Sequence, residues 1–408
     1  MDHSSPACLT PTEAAVQQAK VLAAITTDNV DDRHYVASHL SCPRYALEAL
    51  VQDASAKVRA AVAGNPNSPA HLLETLAADE DRTVRMYVGQ HPNTPVATLV
   101  KLSSDNHADA IFSVSSVASN PNCTVTMLEV LAKDARWEVR EAVVENPTTP
   151  AYLRNAMASD DNHDVRARVA IHTADQEVLA RLSQDPDGLV RMYTSQNPAC
   201  AIDLMSQLAM DKEWAIRAGV ACNRNCPAAL LSILANDSDA RVRCDVAKNP
   251  NCTDEILGKL VTDTDDKVRD CIVQRHDCPQ AILSFMATDR DPLIRSHVAI
   301  HYSTPIVIQL QMACFDVDED VREDAKTYLQ SLPQAIWPKV VASGTSLSKP
   351  ISDAAAGPHL GDALLRRGLA DVYQFIQSAE LTLQLHQAAS QDMTTQNTVP
   401  ASPQRLRM

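Results

Sequence analysis

Arginine side chains recur along this sequence at a spacing of about 26 residues, and an Asp recurs at the same period, six residues before most of them. A regular row of cations is the chemistry of a protein that grips the phosphates of a nucleic acid. Because a planar guanidinium matches a carboxylate in shape and charge, the two columns favour an internal Arg–Asp ladder over a ligand track. The predicted ladder comprises Arg59, Arg85, Arg140, Arg217, Arg243 and Arg269 with Asp79, Asp211, Asp237 and Asp263.

Thiols are the second chemical group, since the chain has eleven Cys and six of them share one position of the period. A thiol at a helix N-terminus is acidic and can react or bind metal. A closed metal site, however, needs several ligands close together. Because stacked helices lie about 8–10 Å apart, cysteines of successive repeats cannot share one metal ion. We therefore expect no metal, no cofactor and reduced thiols in a cytoplasmic protein. The six are Cys42, Cys123, Cys200, Cys226, Cys252 and Cys278.

Aromatic residues and Met form the third group. Trp137 and Trp214 occupy a position of the period that is otherwise mostly polar, which predicts exposure. Exposed aromatic side chains often dominate a protein interface, and we take these two as candidate partner-binding residues. Two Val-Arg-Met-Tyr runs add further candidates, although local packing explains them equally well. The added candidates are Met86, Tyr87, Met192 and Tyr193.

A repeat positions all three groups, because a mostly β-branched anchor residue returns at steps of 25 to 29 residues along most of the chain. Self-similarity at such a period is the signature of a solenoid. The sequence predicts an all-α solenoid of about twelve 26-residue helical-hairpin repeats, each unable to bury its apolar face alone. The anchors are Asp32, Val58, Val84, Ser113, Val139, Val165, Val190, Ile216, Val242, Val268, Ile294 and Val321.

Each unit is predicted to contain two helices joined by a turn. The first helix should stop at an Asn or His seven residues after the anchor, such as Asn65 or His91, because both residues enter the left-handed backbone region readily. Three residues later a Ser, Thr, Cys or Asp, often followed by Pro, is predicted to cap the second helix. That helix buries a stripe of Leu and ends at the Asp of the ladder. An acidic residue then caps the next first helix.

The resulting motif reads Val-Arg-x-x-Val-Ala-x-Asn-Pro-x-(Ser/Thr/Cys)-Pro, then Leu-x-x-Leu-Ala-x-Asp, and is clearest from Val58 to Asp79 and from Val242 to Asp263. It resembles the bacterial leucine-rich repeat variant family, a HEAT-like group, over residues 28–332. The resemblance implies a right-handed superhelix of paired helices. One family member is associated with an iron–sulfur cluster held by an N-terminal Cys cluster. Only Cys8 and Cys42 occur in the first hundred residues here, so that feature does not carry over.

Outside the array the sequence predicts a capping helix in 1–27, a short helix and linker in 333–361, an amphipathic helix in 362–389 and a disordered tail in 390–408. The unit anchored at Ser113 is irregular, because it lacks the Arg and carries three extra residues within 103–112. Irregular loops are where repeat proteins place function, and drift in a dispensable unit is the alternative.

Composition excludes several classes of protein. The formal net charge of −15 disfavours nucleic acid and anionic membranes as partners. We find no signal peptide, no apolar run long enough to span a bilayer, and no nucleophilic, Walker or GxGxxG motif. We predict a non-enzymatic scaffold that binds a protein or peptide. The alternatives are a HEAT-like nucleic-acid-binding protein and, third, a metal or redox sensor.

Overall fold

The computed structural model describes residues 11–105, 110–350 and 358–396, and it divides the chain into two compact units, Met1–Asn223 and Arg224–Met408. Across these residues helices form the whole regular structure, and the extended pairing consists of one isolated bridge between Pro350 and His359. The predicted capping residue Thr10, part of the linker (351–357), the centre of the 103–112 insertion (106–109) and most of the tail (397–408) lie outside the described residues.

The first unit contains sixteen α-helices and one 3₁₀ turn, Met157–Ser159, among its described residues. They are α1 (Pro11–Ile25), α2 (Val30–Ser38), α3 (Arg44–Leu50), α4 (Ala56–Gly64), α5 (Ala70–Leu76), α6 (Arg82–Gln90), α7 (Val96–Ser103), α8 (Ile111–Ser119), α9 (Val125–Leu131), α10 (Trp137–Glu145), α11 (Ala151–Ala156), α12 (His163–His172), α13 (Gln176–Leu182), α14 (Gly188–Gln196), α15 (Ile202–Leu208) and α16 (Trp214–Cys222).

The second unit continues the alternation of first and second helices, with a 3₁₀ turn at Gln334–Ile336. Its described helices are α17 (Ala228–Leu234), α18 (Ala240–Lys248), α19 (Asp254–Leu260), α20 (Asp266–Val273), α21 (Gln280–Met286), α22 (Pro292–Ile300), α23 (Ile306–Phe315), α24 (Glu319–Ser331), α25 (Trp337–Ala342), α26 (Leu360–Arg366) and α27 (Ala370–Gln396).

Even-numbered helices from α2 to α24 are the first helices of the repeats. Within each unit every first helix packs against the first helix of the next repeat. The anchors explain this packing, because Val58, Val84 and Val139 are fully buried between neighbours. The predicted all-α solenoid is therefore confirmed, and within each unit the first helices stack one on the next.

The turn after each first helix differs from the prediction. Asn65 and His91 follow α4 and α6 in extended conformation, with φ of −73° and −70°. Among the described residues, only Gly344 and Gly368 have positive φ, so the predicted left-handed stops are wrong. A side chain closes the turn instead, because Asn65 Oδ1 accepts the N–H of Asn67 at 2.9 Å.

The Ser and Thr side chains that were predicted to cap the second helix bond to the first helix instead. Ser68 Oγ donates to the carbonyl of Val62 at 2.5 Å, and Thr149 Oγ1 donates to Val143 O at 2.5 Å. These hydroxyls satisfy the C-terminal carbonyls of the first helix and make no N-cap bond to the second. Asp175 caps its own second helix, as predicted.

The C-terminal segment forms two helices where one was predicted. The chain turns between α26 and α27 at Gly368, whose φ of 74° favours Gly. The N-terminal half of α27 packs against α24, α25 and α26, with Trp337 stacked on Phe375 at 6.4 Å between ring centroids. The helix continues to Gln396, beyond its predicted end at residue 389.

Candidate partner-binding surface

Each ladder Arg bridges two turns of the array. Arg59 Nε lies 2.6 Å from Asp79 Oδ2, and its Nη2 lies 2.9 Å from Asp79 Oδ1. Its Nη1 donates to the carbonyl of Asp53 at 2.8 Å, so one guanidinium joins the preceding turn to the following one. Equivalent carboxylate pairs, 19 to 21 residues apart, occur at Arg33–Asp53, Arg85–Asp105, Arg140–Asp160, Arg166–Asp185, Arg191–Asp211, Arg243–Asp263, Arg269–Asp289 and Arg295–Asp316.

Arg59 holds the carboxylate of Asp79 in its ionised form. Burial raises the pKa of Asp79, but hydrogen bonds from Arg59 and from the N–H of Asp81 outweigh it and leave the pKa below its ordinary value. Both partners are largely buried, with 11% and 7% of the side chains of Arg59 and Asp79 exposed. These guanidiniums are therefore occupied by carboxylates and do not form a track for phosphates. Arg217 and Asp237 belong to the same edge, since Arg217 Nη1 donates to Asp211 O at 2.8 Å and Asp237 Oδ1 accepts the N–H of Asp239 at 2.9 Å.

The Asn residues that follow the first helices form a second ladder of hydrogen bonds, at the turn between the two helices of each repeat. Asn146 Nδ2 donates to Ala118 O at 2.6 Å and to Asn120 O at 2.9 Å, which are carbonyls of the preceding repeat. Buried carbonyls need such donors, and the amide also closes its own turn through Oδ1. Equivalent bonds join Asn65 to Ala37 and His39, Asn120 to Gly89 and His91, Asn197 to Ala170 and Thr173, and Asn223 to Ser195 and Asn197.

Where the column lacks Asn, another side chain supplies the donors. Arg154, from a second helix, donates to Val144 O at 3.0 Å and to Asn146 O at 3.1 Å. Arg275 and Gln309 each reach two carbonyls in the same way. The repeat pattern did not predict these replacements, because Arg154 and Gln309 lie outside the column.

The histidines of this column are structural. His91 Nε2 is 2.8 Å from Asn65 O, and His301 Nε2 is 2.9 Å from Arg275 O. In the described parts of the chain no three His, Cys, Asp or Glu side chains are grouped so that they could hold a metal ion.

The six column cysteines are buried. Burial raises the pKa of Cys226 to about 12 and that of Cys123 to about 11. Thiols in this condition are poor nucleophiles at neutral pH. The expectation that every thiol is reduced is wrong in the structure, because Cys244 and Cys271 form a disulfide. Neither residue belongs to the column, so the sequence pattern offered no pairing.

The aromatic and Met candidates lie on the first-helix layer of the first unit. Met86 and Tyr87 are on α6 and Met192 and Tyr193 on α14, with three first helices between the two pairs. Tyr87 is 38% exposed, whereas Met86, Met192 and Tyr193 are half-buried.

The two Trp residues differ from each other. Trp214 begins α16 and is 38% exposed. Trp137 begins α10 and is partly buried against the apolar core, which is less exposure than its polar column predicted. The six candidates therefore do not form one patch, and Tyr87 and Trp214 present the larger exposed fractions.

An open groove of about 490 Å³ crosses α2, α4 and α6, and the sequence analysis did not predict it. Its floor is the small-residue face of α4, at Ala60, Ala61 and Gly64. The ring of Tyr87 lies against Gly64, where a Cβ would meet Cδ1 of the ring at 3.4 Å. Three small residues on one face of a first helix were the available signal. The remaining lining residues are His34, Ser38, Lys57, Asn65, Asp81 and Thr83.

Fold and surface together define an all-α repeat protein of the solenoid class, with its recurring polar side chains bonded within the stack. A family model described as leucine rich repeat variant matches residues 56–81, which is one repeat of the array. The resemblance predicted from the sequence motif is confirmed by this match. No curated protein sequence matches the chain at a significant level.

Solved helical repeat structures resemble the chain. One is described as a leucine-rich repeat variant with a novel repetitive structural motif; it has 24% identity, a TM-score of 0.42, and coverage of 55% of this chain and 88% of that one. Kap121p bound to RanGTP has 13% identity, a TM-score of 0.41, and coverage of 96% and 55%. Kap121p bound to Pho4p has 11% identity, a TM-score of 0.37, and coverage of 92% and 47%. This chain thus spans about half the length of Kap121p.

None of the helices in the described ranges combines the length and hydropathy that crossing a membrane requires.

Proposed function

We propose that this chain is a non-enzymatic repeat scaffold that binds a protein or peptide partner on the first-helix layer of residues 30–222. The observation that carries the proposal is the groove over α4, where the exposed ring of Tyr87 borders a floor of Ala60, Ala61 and Gly64. Small floor residues allow a partner to approach closely, and an aromatic edge gives contact area at low entropic cost. A cytoplasmic location stays a prediction from the sequence.

The charges around this groove favour a polypeptide over a nucleic acid. Lys57 is paired with Asp31 at 2.7 Å, and Arg82 lies over the ring of Phe112 at 5.1 Å. Since the ladder guanidiniums are also paired, this face offers no row of available cations to phosphates. Preformed helices keep the ordering cost of binding low.

Further contacts extend the proposed surface along the same layer. Trp137 and Trp214 begin α10 and α16, and Met192 and Tyr193 lie on α14 between them. An elongated peptide or a helical partner would meet these side chains in succession. Met86 lies beside the groove and supplies an adaptable apolar contact.

The test uses random peptides displayed on phage and selected on the full chain. An enriched peptide is then titrated by fluorescence polarisation against the wild type, Tyr87→Ser and Tyr152→Ser. Tyr152 is a matched control, because it is 59% exposed but lies on a second helix. We expect Tyr87→Ser to weaken binding about tenfold and Tyr152→Ser to change it less than about twofold.

Equal affinities for the wild type and Tyr87→Ser would refute the groove as the binding site. Labelled single-stranded DNA at low salt tests the rival function. Tight binding of that DNA, competed by the selected peptide, would favour the nucleic-acid role instead.

A further inference from the structure

Two cysteines stand outside the buried column and on consecutive first helices of the second unit. Cys244 lies on α18, two residues after the anchor Val242, and Cys271 lies on α20, three residues after Val268. Their Cα atoms are 5.9 Å apart, and the two sulfurs are bonded. A covalent bond therefore joins neighbouring repeats at the layer where first helices pack side by side.

The two sulfurs differ in their access to solvent. Cys244 is half-buried, with its Sγ 3.8 Å from the carbonyl of Lys267 in an exposed setting. Cys271 is 5% exposed. An incoming thiolate therefore reaches Cys244 first, and Cys271 becomes the leaving sulfur.

A groove of about 410 Å³ borders Cys271, and polar side chains of both signs line it. Lys248 and His276 are exposed in its lining, and the Arg275 guanidinium is buried there. Arg275 is fixed in place, because its Nη1 donates to Ala247 O at 2.5 Å and its Nη2 pairs with Asp277 at 2.9 Å. The carboxylate of Asp277 is thus already matched, which leaves Lys248 as the exposed fixed charge of the groove.

We propose that Cys244–Cys271 is a reversible thiol–disulfide exchange site that reacts with a small anionic thiol of the glutathione class. A glutathione thiolate attacks Cys244 Sγ, the bond between the two cysteine sulfurs breaks, and its electron pair passes to Cys271 Sγ, which borders the groove that Lys248 lines. Cations near a leaving thiolate stabilise it and accelerate exchange.

A second glutathione thiolate then attacks the glutathione sulfur of the mixed disulfide. Glutathione disulfide leaves, and both cysteine thiolates take protons from solvent. Two glutathione molecules are oxidised while one protein disulfide is reduced, and the reverse sequence reforms the link between α18 and α20.

The buried column provides an internal contrast. Cys252 and Cys278 belong to the same unit and are 7% and 3% exposed. Burial raises the pKa of both thiols to about 11. They should remain reduced and unlabelled in the folded protein under conditions that oxidise the pair.

The first experiment equilibrates the full chain with mixtures of reduced and oxidised glutathione. Exchange is stopped with acid, free thiols are alkylated with light reagent after denaturation, and disulfides are alkylated with heavy reagent after reduction, then both are quantified by mass spectrometry. We expect Cys244 and Cys271 to convert together between thiol and disulfide, with Cys252 and Cys278 unchanged. Thiols that persist in pure oxidised glutathione, or a disulfide that excess glutathione does not reduce, would overturn the proposal.

The second experiment tests the groove beside Cys271 through reduction rates. Glutathione and the cationic thiol cysteamine are compared at equal thiolate concentration on the wild type, Lys248→Gln and Lys248→Glu. We expect the ratio of glutathione rate to cysteamine rate to fall about threefold in Lys248→Gln and further in Lys248→Glu. An unchanged ratio in both variants would show that the groove does not select an anionic thiol.

Discussion

At the turn that contains Asp79, one guanidinium from the start of the repeat binds the carboxylate and also the carbonyl of Asp53, so two turns are tied together. The equivalent carboxylate of the Ser113 repeat, Asp134, has no such Arg, because the position after the anchor is the buried Val114. Arg136, two residues beyond Asp134, pairs with it instead at 2.8 Å. The carboxylate is neutralised in both repeats, but only the first arrangement links separate turns.

The comparison shows that an Arg can neutralise a ladder carboxylate without also linking two turns. For Asp134 the hydrogen bond from Arg136 is the largest influence and lowers the pKa, whereas for Asp79 the largest influence is burial, which the Arg59 bonds outweigh. The Ser113 repeat therefore depends more on the Asn ladder for its attachment to the preceding repeat. Asn120 makes that attachment through the carbonyls of Gly89 and His91.

The largest expected effect is acid unfolding, which acts on several ladder carboxylates together. Burial raises the pKa of Asp79, Asp263 and Asp289, but their Arg partners and backbone N–H donors leave each pKa below its ordinary value. A depressed folded-state pKa gives stability that is fully present above the unfolded value of about 3.9 and is lost as pH falls through the folded value. Urea unfolding followed by circular dichroism should show a much lower midpoint at pH of about 3 than at about 7. Equal midpoints at the two pH values would contradict the ladder's contribution.

Asn120→Ala should produce the largest effect of a single substitution. It removes the donor to the carbonyls of Gly89 and His91 at the junction that lacks the guanidinium bridge, so we expect a loss of about 3 kcal/mol in the free energy of unfolding. Hydrogen exchange should accelerate in α6 and α8 more than Asn65→Ala accelerates it in α2 and α4. The exposed Asn236 provides a control, since Asn236→Ala should cost less than about 0.5 kcal/mol. Equal local exchange in the two ladder variants would remove the distinction between the junctions.

Replacing Arg59 and Arg136 separately distinguishes the linking of two turns from the neutralisation of one carboxylate. Arg59→Ala leaves a largely buried carboxylate and a carbonyl without their donor, and should cost about 2 kcal/mol. Arg136→Ala should cost about 0.5 kcal/mol, because 32% of its side chain is exposed and it bonds within one turn. Differential scanning calorimetry of both variants measures the difference. A larger destabilisation by Arg136→Ala would reverse our assignment.

Ser113→Ala tests a contact of the irregular repeat with the turn before it. Ser113 Oγ donates to Asp105 Oδ2 at 2.8 Å, and Arg85 remains on the same carboxylate. The loss should be close to that of Arg136→Ala, below about 1 kcal/mol in urea unfolding. Ser115→Ala is the matched control, since Ser115 Oγ donates only to carbonyls of its own helix in the described contacts.

Periodicity alone allowed the main architecture to be predicted. An apolar anchor every 26 residues requires helices that stack, and the Arg and Asp positions share that period, so the row of charges could be inferred before any coordinates. Caps at Asp81 and Asp265 followed from local chemistry and are confirmed. These two caps depend only on side chain and backbone atoms two or three residues apart.

Predictions failed where the partner lies in another repeat. The turn at Asn65 was expected to need a left-handed backbone, but its side chain closes the turn and bonds two carbonyls some 26 and 28 residues earlier. Arg154 performs the same task from outside the column, and no spacing rule identifies it. Exposure of Trp137 was overestimated for a related reason, since burial depends on neighbouring helices.

By itself the sequence determined the repeat, the helical hairpins and the class of residue at each column, because these depend on local periodicity and on side-chain type. Tertiary structure decided which carbonyl each amide meets, which cysteines are bonded and where the groove over α4 lies. Those outcomes depend on distances between residues about one repeat apart, set by how closely consecutive first helices pack.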